Sequence, residues 1–464
     1  MVGIKGTGMA ALAEILVARG ATLTGSDVPE VFYTDVILSS LGIRPFTSFA
    51  PENVGKSTQL VIHSSAYDRG ANPELREAER RRIPTVKYTE ALGALSSASR
   101  STGIAGVHGK TTTTGLAGTI LGALELPCTV LAGSSISGFG DRCTLIKGDT
   151  YFVAETCEYQ RNFLDFNPVR ILLTSVESDH HDCFPTYENI LSAFMQYIDK
   201  LPQFGELIYC VDDPGAREAA KMIFSSRPDI FFTGYGERAD GAFRVRIHGI
   251  KNERLVFSLK GFGGEFRLRV PGRHNALNAA GAIALAVSIL REEKGEVSIA
   301  DIGKIRAAVE SFSGSKRRSE IKGEAGGVLV IDDYGHHPTA IKTTLAGLKE
   351  FYPGRRLVVD FMSHTYSRTA ALIDSFAASF SSADEVILHK IYASAREAPD
   401  GSVSGEILSE KTRRRHRNVK YFEEVLDARE YLSKTLKKGD LFVTMGAGDN
   451  WRLGEAVLED RRKS

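Results

Sequence analysis

The sequence predicts an α/β protein of three domains: a Rossmann-like N-terminal domain, a central phosphate-loop domain and a C-terminal Rossmann-like domain. Three observations carry that expectation. The chain has 464 residues, too many for one hydrophobic core. Two glycine-rich turns, Gly3–Met9 and Gly106–Thr112, each follow a short apolar run and open a helical one, the setting in which α/β sheets bind nucleotides. In the last third, short apolar runs at Gly327–Ile331, Leu357–Val359, Glu385–Leu388 and Leu441–Val443 alternate with helical ones, which argues a parallel doubly wound sheet. Residues 94–102 are small, polar and aperiodic and read as a linker, and a second break falls at Phe312–Ser315. The expected domains are therefore 1–98, 99–314 and 315–464.

Composition narrows the class of protein. A net charge of +1 gives no electrostatic footing for nucleic acid or an anionic membrane. The densest basic run, Arg413–Arg417, reads as a solvated face. Five cysteines (128, 143, 157, 183, 210) are scattered without a CxxC pair, as expected of free thiols in a reducing cytoplasm. No apolar stretch approaches a membrane span, and no signal peptide is expected ahead of residue 1.

Taken in order, the first motif is Gly3-Ile4-Lys5-Gly6-Thr7-Gly8-Met9, then the helical run Ala10–Val17 and a strand at Thr22–Thr24 that ends at Gly25-Ser26-Asp27. The glycines permit a tight turn and the approach of a diphosphate, and Asp27 stands where an acid can hold a ribose or base. Only two residues precede Gly3, so the first strand is expected to begin upstream. A further strand, Leu60–Ile62, ends in His63-Ser64-Ser65.

In the central domain, Gly106-Val107-His108-Gly109-Lys110-Thr111-Thr112 follows the run Gly103–Ala105 and precedes the helix Leu116–Leu124. Glycines let backbone N–H groups reach phosphate oxygens, and the helix dipole favours the anion. Lys110 would neutralise β- and γ-phosphates, and Thr111 would offer its hydroxyl to Mg²⁺. Ile104 stands where the usual Walker spacing has glycine. The strand Tyr151–Ala154 stops at Glu155, where Mg²⁺ is commonly held, with an ordinary helix cap as the alternative. The strand Ile171–Thr174 runs toward Glu177-Ser178-Asp179-His180-His181-Asp182, a polar loop or metal cluster without a third soft ligand for zinc.

Alternation at 242–270 reads as antiparallel strands. Asn275 and Asn278 start the helix Ala279–Leu290 and could cap it. In the third domain the strands end in Asp332–Pro338, His364–Arg368 and Met445–Asp449. His and Arg at strand ends can clamp carboxylate or phosphate, though Arg368 alone reads as an ordinary surface residue.

With these pieces in order the chain resembles the Mur ligases, the amide-forming enzymes of peptidoglycan precursor synthesis. The matching stretches include Val2–Met9, Gly25-Ser26-Asp27, Asn72-Pro73-Glu74, Gly106–Thr114, Val153–Tyr159, Asp179-His180, His274–Asn278, Asp332–Thr339, His364–Thr369 and Gly446–Asp449. The alanine-adding branch is the most similar, implying UDP-N-acetylmuramate, L-alanine and ATP as substrates, with two Mg²⁺ ions. The resemblance implies a UDP-sugar site at Gly3, Gly6, Gly8, Met9, Asp27, Ser64 and Ser65. It implies an ATP site at Gly106–Thr112 (Gly106, Val107, His108, Gly109, Lys110, Thr111, Thr112) with Asn275, Arg318 and Asp333. The metals would fall to Thr111, Glu155 and His180, and the amino acid to Tyr334, His364, Tyr366 and Arg368. Lys110, Glu155, His180 and Arg368 would be catalytic, in a cytoplasmic monomer or weak homodimer.

Lys5 stands where the family has glycine, and Met362-Ser363 replaces its usual Gln-Pro. The segment after Gly140 lacks the familiar asparagine-containing stretch. No lysine lies near Met195, where ligases of later steps carry a carbamylated one, in keeping with the alanine branch. The rival readings are a ligase that recycles a preformed tripeptide, a non-catalytic nucleotide-binding protein and, on the glycine fingerprint alone, a nicotinamide dehydrogenase.

Overall fold

The computed structural model describes residues 1–68, 70–180, 182–393 and 401–463. They fall into two compact units, Met1–Val176 with Leu191–Gly241 and Gly281–Ala308, and Glu177–Ile190 with Ala242–Ala280 and Val309–Ser464.

The first unit is built on a seven-stranded sheet. Its middle strand, Arg100–Ala105, runs parallel between Tyr151–Glu155 and Arg170–Leu173. Outward from Tyr151–Glu155 lie Cys128–Ile136 and the antiparallel edge Arg142–Ile146; on the other side lie Glu206–Cys210 and Phe231–Tyr235. Five of its six residues are buried in succession, as in a parallel sheet covered on both faces, so buried and exposed positions do not alternate. Gly103 is needed there, because a Cβ would strike the Tyr197 hydroxyl. Tyr197 stacks on Phe163 with centroids 4.5 Å apart, and Phe194 meets the same ring edge-on at 5.3 Å.

Residues 94–102 are not a linker. The helix Tyr88–Ser97 and the strand Arg100–Ala105 leave only Ala98 and Ser99 between them. The stretch looks like a loop because its residues are small and hydroxylated, and those traits serve close packing. A Cβ on Gly93 would collide with the Asp165 carbonyl, while Ser96 donates to Gly93 O at 2.7 Å and Ser101 to Ser96 O at 2.7 Å. With their hydroxyls satisfied internally, both serines are buried at little cost.

Around the first glycine turn the sheet is sparse. Val61–His63 pairs in parallel with Thr85–Lys87, and Val2 bridges both His63 and Ser26. The strand expected at Thr22–Thr24 does not form. Thr22 and Thr24 are exposed, and only Leu23 between them packs on the core.

In the second unit a six-stranded sheet has the order Glu320–Ala325, Val328–Asp333, Leu441–Met445, Leu357–Phe361, Glu385–Leu388 and Val419–Tyr421. Five strands are parallel, as the alternation predicts, and Glu320–Ala325 is an antiparallel edge. Neither that edge nor the short strand Val419–Tyr421 was legible in the sequence. Leu345, Leu348, Phe361, Phe376 and Phe380 pack one face of this sheet. The expected antiparallel strands of 242–270 are Val245–Ile250, Leu255–Leu259 and Phe266–Leu268. Arg413, Arg414, Arg415 and Arg417 are exposed, as expected of a solvated run. Among the described residues no helix is long and apolar enough to cross a membrane.

Candidate active site

The second glycine turn has the geometry of a phosphate cradle. Gly106 takes φ +134°, and a Cβ there would collide with the Thr174 hydroxyl and the Ser175 backbone. Gly109, at φ +80°, turns the chain into the helix Lys110–Ala123. Ile104 is fully buried within the preceding strand, so the missing Walker glycine is a core strand position here. The loop is pinned from the next strand's end: Val107 N–H donates to Ser175 O at 3.1 Å and His108 N–H to Ser175 Oγ at 2.9 Å. Thr112 is buried in the first turn of the helix.

Lys110 folds back to donate to the Gly106 carbonyl and pairs with both Glu158 oxygens, at 2.9 and 3.1 Å. Burial alone would lower the Lys110 ammonium, but Glu158, and after it Cys157 and Glu155, hold it above its ordinary value. It is therefore a fixed cation. Glu155 is not a helix cap. It ends its strand, accepts from Thr111 Oγ1 at 3.1 Å and from Gly133 N–H at 2.7 Å, and sits across from the first turn of the helix. Two hard oxygen ligands thus converge beside the phosphate cradle, a donor set that suits Mg²⁺ rather than a soft metal.

The first glycine turn is more self-contained than its motif suggests. A Cβ on Gly3, at φ +79°, would lie 2.6 Å from the Tyr67 ring, and one on Gly8 would lie 2.7 Å from Tyr88. Asp27 is buried and accepts from Lys5 N–H at 2.6 Å, Val28 N–H at 2.8 Å and the Tyr67 hydroxyl at 3.2 Å. Lys5 is buried too; its ammonium donates to the carbonyls of Val28 and Glu30 at 3.0 and 2.9 Å. Asp27 and Lys5 therefore shape this loop. Gly6 and Ser65 are exposed at its rim, Ser64 is half-buried, and Met9 is buried in the helix behind it.

The second unit gathers most of the remaining candidates. Arg368 donates through Nε and Nη2 to Asp179 Oδ1, at 3.2 and 3.1 Å, and its Nη1 lies 3.5 Å from His364 Nδ1. Arg368 is thus no ordinary surface residue, its side chain being 10% exposed. His180 sits at φ +53°, unusual for a residue with a Cβ, and its own N–H donates to the same Asp179 oxygen at 2.7 Å. Burial would raise the Asp179 carboxyl, but His180 and then Arg368 hold it well below the usual carboxylate range. His336, between Tyr334 (5.1 Å) and His364 (6.2 Å), is pushed well below its ordinary value by burial and then by Arg368. Because Nδ1 faces the Tyr334 carbonyl at 2.9 Å, that nitrogen carries the proton of a neutral ring. Tyr366 opens the helix Tyr366–Ala377, whose cap residue Thr365 accepts from Arg368 N–H at 3.4 Å.

The guanidinium carbons of Arg317 and Arg318 lie 5.1 and 5.4 Å from the Tyr334 ring. Asp333 accepts from Ser319 N–H and Gly335 N–H, at 2.7 and 2.8 Å, tying the Arg318 turn to its strand. Asn275 and Asn278 are not N-caps: their helix begins at Arg273, Asn275 Nδ2 donates to Pro271 O at 2.6 Å, and Asn278 Nδ2 to Asn275 Oδ1 at 2.9 Å. This orients the Asn275 amide on a closed local network. His181 lies outside the described residues.

Glu158, Asp179 and His336 carry much of this geometry, yet none was assigned a role from sequence. Glu158 lies three residues beyond the strand-end Glu155, and His336 sits in a polar strand-end cluster; these were the available signals.

Fold and loop define a nucleotide-handling enzyme of the phosphate-loop class. Comparison with known proteins makes the class specific. The Mur ligase family catalytic domain matches residues 1–100, the Mur ligase middle domain 104–286, and the Mur ligase glutamate ligase domain 317–448. A Treponema pallidum protein named UDP-N-acetylmuramate–L-alanine ligase is 57% identical over 99% of this chain and 95% of its own length. A Borreliella afzelii protein of the same name is 39% identical over 97% and 96%. Among solved structures, the UDP-N-acetylmuramate–alanine ligase of Thermotoga maritima superposes with a TM-score of 0.79 at 24% identity, covering 100% of this chain and 98% of that one. A murein peptide ligase from Psychrobacter arcticus gives 0.66 at 22%, covering 100% and 98%. The chain belongs to the Mur ligase family of ATP-dependent ligases.

Proposed function

We propose that the chain joins L-alanine to the carboxylate of UDP-N-acetylmuramate in the cytoplasm, as a step of peptidoglycan precursor synthesis. The observation that carries this reading is 57% identity, over nearly the whole chain, to proteins named for that reaction. In the reaction, a carboxylate oxygen of the sugar nucleotide attacks the γ-phosphorus of ATP, giving an acyl phosphate and ADP. The amine of L-alanine then attacks the acyl carbon, and the tetrahedral intermediate collapses with loss of phosphate.

The loop N–H groups of Gly106–Thr112 would cradle the phosphates. Lys110, a fixed cation beside the cradle, would stabilise charge on the transferring group. Thr111 and Glu155 would hold Mg²⁺, and His180 a second ion; bound there, the metal supplies neutralisation of phosphate charge. Asn275 would meet adenine, with Arg318 and Asp333 on the nucleotide. The turn around Gly3, Gly6, Gly8 and Met9, with Asp27, Ser64 and Ser65, would take the UDP-sugar; there Asp27 shapes the loop. Arg368, His364, Tyr366 and Tyr334 would receive the amino acid, the guanidinium taking its carboxylate. These roles, with functional modules at 1–98, 99–314 and 315–464, form one proposal. Phosphate release from ATP and UDP-N-acetylmuramate, measured with each amino acid in turn, tests it. L-alanine should support by far the fastest release; release without any amino acid would contradict ligation.

A further inference from the structure

Asp179 belongs to no motif role assigned above, yet three donors converge on one of its oxygens. Nε and Nη2 of Arg368 reach Asp179 Oδ1 at 3.2 and 3.1 Å, and the N–H of His180 reaches the same atom at 2.7 Å. The aspartate side chain is 7% exposed and that of Arg368 10%. A carboxylate this enclosed, on partners this close, fixes them strongly.

Geometry divides the guanidinium into two edges. The Nε–Nη2 edge is spent on Asp179, and both its hydrogen bonds converge on a single oxygen, so the pair is not the two-oxygen fork of a typical arginine–carboxylate bridge. Nη1 is turned toward His364, at 3.5 Å from its Nδ1. On the other side, Asp179 stabilises a left-handed backbone at His180, φ +53°, by accepting that residue's N–H. One carboxylate thus orients a cation on the third-domain helix and a histidine in the segment Glu177–Ile190. Thr339 Oγ1, donating to Glu177 Oε1 at 2.7 Å, ties the same segment to the strand-end cluster a second time.

We propose that Asp179 is a positioning residue that aims Arg368 at the carboxylate of the incoming amino acid while holding His180 in register. Its oxygen locks the Nε–Nη2 edge, so the amino acid is met by the Nη1 side next to His364, at a fixed distance from His180. This rests on the reading of Arg368 as the amino-acid arginine.

The test is a double-variant cycle in the full chain, with Asp179→Asn, Arg368→Lys and the combination, reading KM for L-alanine and for ATP separately. Asp179→Asn keeps shape and removes charge. Its L-alanine KM should rise about tenfold or more, as expected when a buried charge pair is broken, with ATP KM within about twofold. The double variant should be little worse than the worse single one, because both remove the same aimed contact. Factors that simply multiply, or a loss that falls on ATP KM, would overturn the proposal; a merely structural aspartate gives one or the other. Asp179→Glu retains the charge and guards against a variant that does not fold. Its L-alanine KM must exceed wild type by less than that of Arg368→Lys, and a KM at or above that of Arg368→Lys counts against the proposal. Failure of the underlying reading is separable: in that case wild type itself shows no alanine-dependent phosphate release.

Discussion

Lys110 and Glu158 show best how a residue's roles separate. The pair is nearly enclosed, with side chains 13% and 2% exposed, so removing one partner leaves a buried charge. Lys110→Ala should lose about 10²–10³ in turnover, the usual consequence of deleting a group aimed at transition-state charge, and should also lose about 3–5 kcal/mol of stability. Adding Glu158→Gln should restore most of the stability and none of the activity, which urea unfolding and steady-state assays would distinguish. Near-normal turnover of Lys110→Ala at saturating ATP would remove the residue from the site. For Glu155→Gln, which keeps the Thr111 contact but not the charge, activity should require higher Mg²⁺; an unchanged titration would reduce Glu155 to a partner of Gly133. Lys110 and Glu155 were readable from sequence because a phosphate loop is a local motif and a carboxylate ending a neighbouring strand is its regular companion. Their pairings were not, since Glu158 lies 48 residues from Lys110 and Asp179 lies 189 from Arg368. Nor does sequence say that Asp27, well placed for a ribose, spends its oxygens on Lys5, Val28 and Tyr67.

Elements were legible where periodicity and burial agree. Six parallel strands, Tyr151–Glu155, Arg170–Leu173, Val328–Asp333, Leu357–Phe361, Glu385–Leu388 and Leu441–Met445, lie within two residues of the apolar runs that mark them in the sequence, whereas Cys128–Ile136, Glu206–Cys210, Phe231–Tyr235 and Val419–Tyr421 are not marked there. Misreadings arose where packing overrides local appearance: the hydroxyl-rich 94–102 is helix and strand because Gly93 and Ser96 allow close approach, whereas in the β-prone Thr22–Thr24 only Leu23 packs on the core and both threonines are exposed. The same contest of local preference and packing sets the outcome at Gly347, within the helix Pro338–Phe351. Alanine there gains about 1 kcal/mol of helix propensity. Its Cβ, however, would lie 2.6 Å from the Gly272 Cα, a backbone atom that cannot swing away, and such overpacking costs about 1–3 kcal/mol. Gly347→Ala should therefore destabilise in a thermal melt and, because Gly272 precedes Asn275, raise ATP KM; a more stable variant would show that this contact relaxes freely. A second element-level effect is pH-dependent. His389, buried between Asp360 Oδ1 at 2.5 Å and the Phe422 carbonyl at 3.0 Å, links strands Leu357–Phe361 and Glu385–Leu388. Burial would lower the His389 ring, but Asp360 and these hydrogen bonds raise it above its ordinary 6.5. A raised value in the folded state means that the stabilisation is complete below pH 6.5 and is lost as pH climbs through the folded value. Unfolding free energy should thus decline on the alkaline side of 6.5, and His389→Gln should flatten that decline.

At the scale of the whole molecule, sequence revealed the order of motifs and the structure revealed which of them meet. The strand Leu441–Met445, last along the chain, sits in the sheet between Val328–Asp333 and Leu357–Phe361, an arrangement that no local signal announces. Its insertion sets the ends of those two strands, and with them Tyr334, His336 and His364, on either side of one central strand. The segment Glu177–Ile190 belongs to the same compact unit as the six-stranded sheet, and Asp179 there meets Arg368. The proposed function couples ATP cleavage to amide formation with a single small amino acid. Alanine's methyl offers only about 1–3 kcal/mol of discrimination against glycine, so selectivity should be modest toward glycine and steep toward bulky side chains. The most direct measurement is phosphate release from ATP and UDP-N-acetylmuramate with L-alanine, with glycine, with larger amino acids and with a preformed tripeptide, the ligated product being identified by mass. Release should be fast with L-alanine, slower with glycine and slight with the rest, and the product should be heavier by one alanyl residue. A tripeptide ligated far faster than L-alanine would contradict the proposed function.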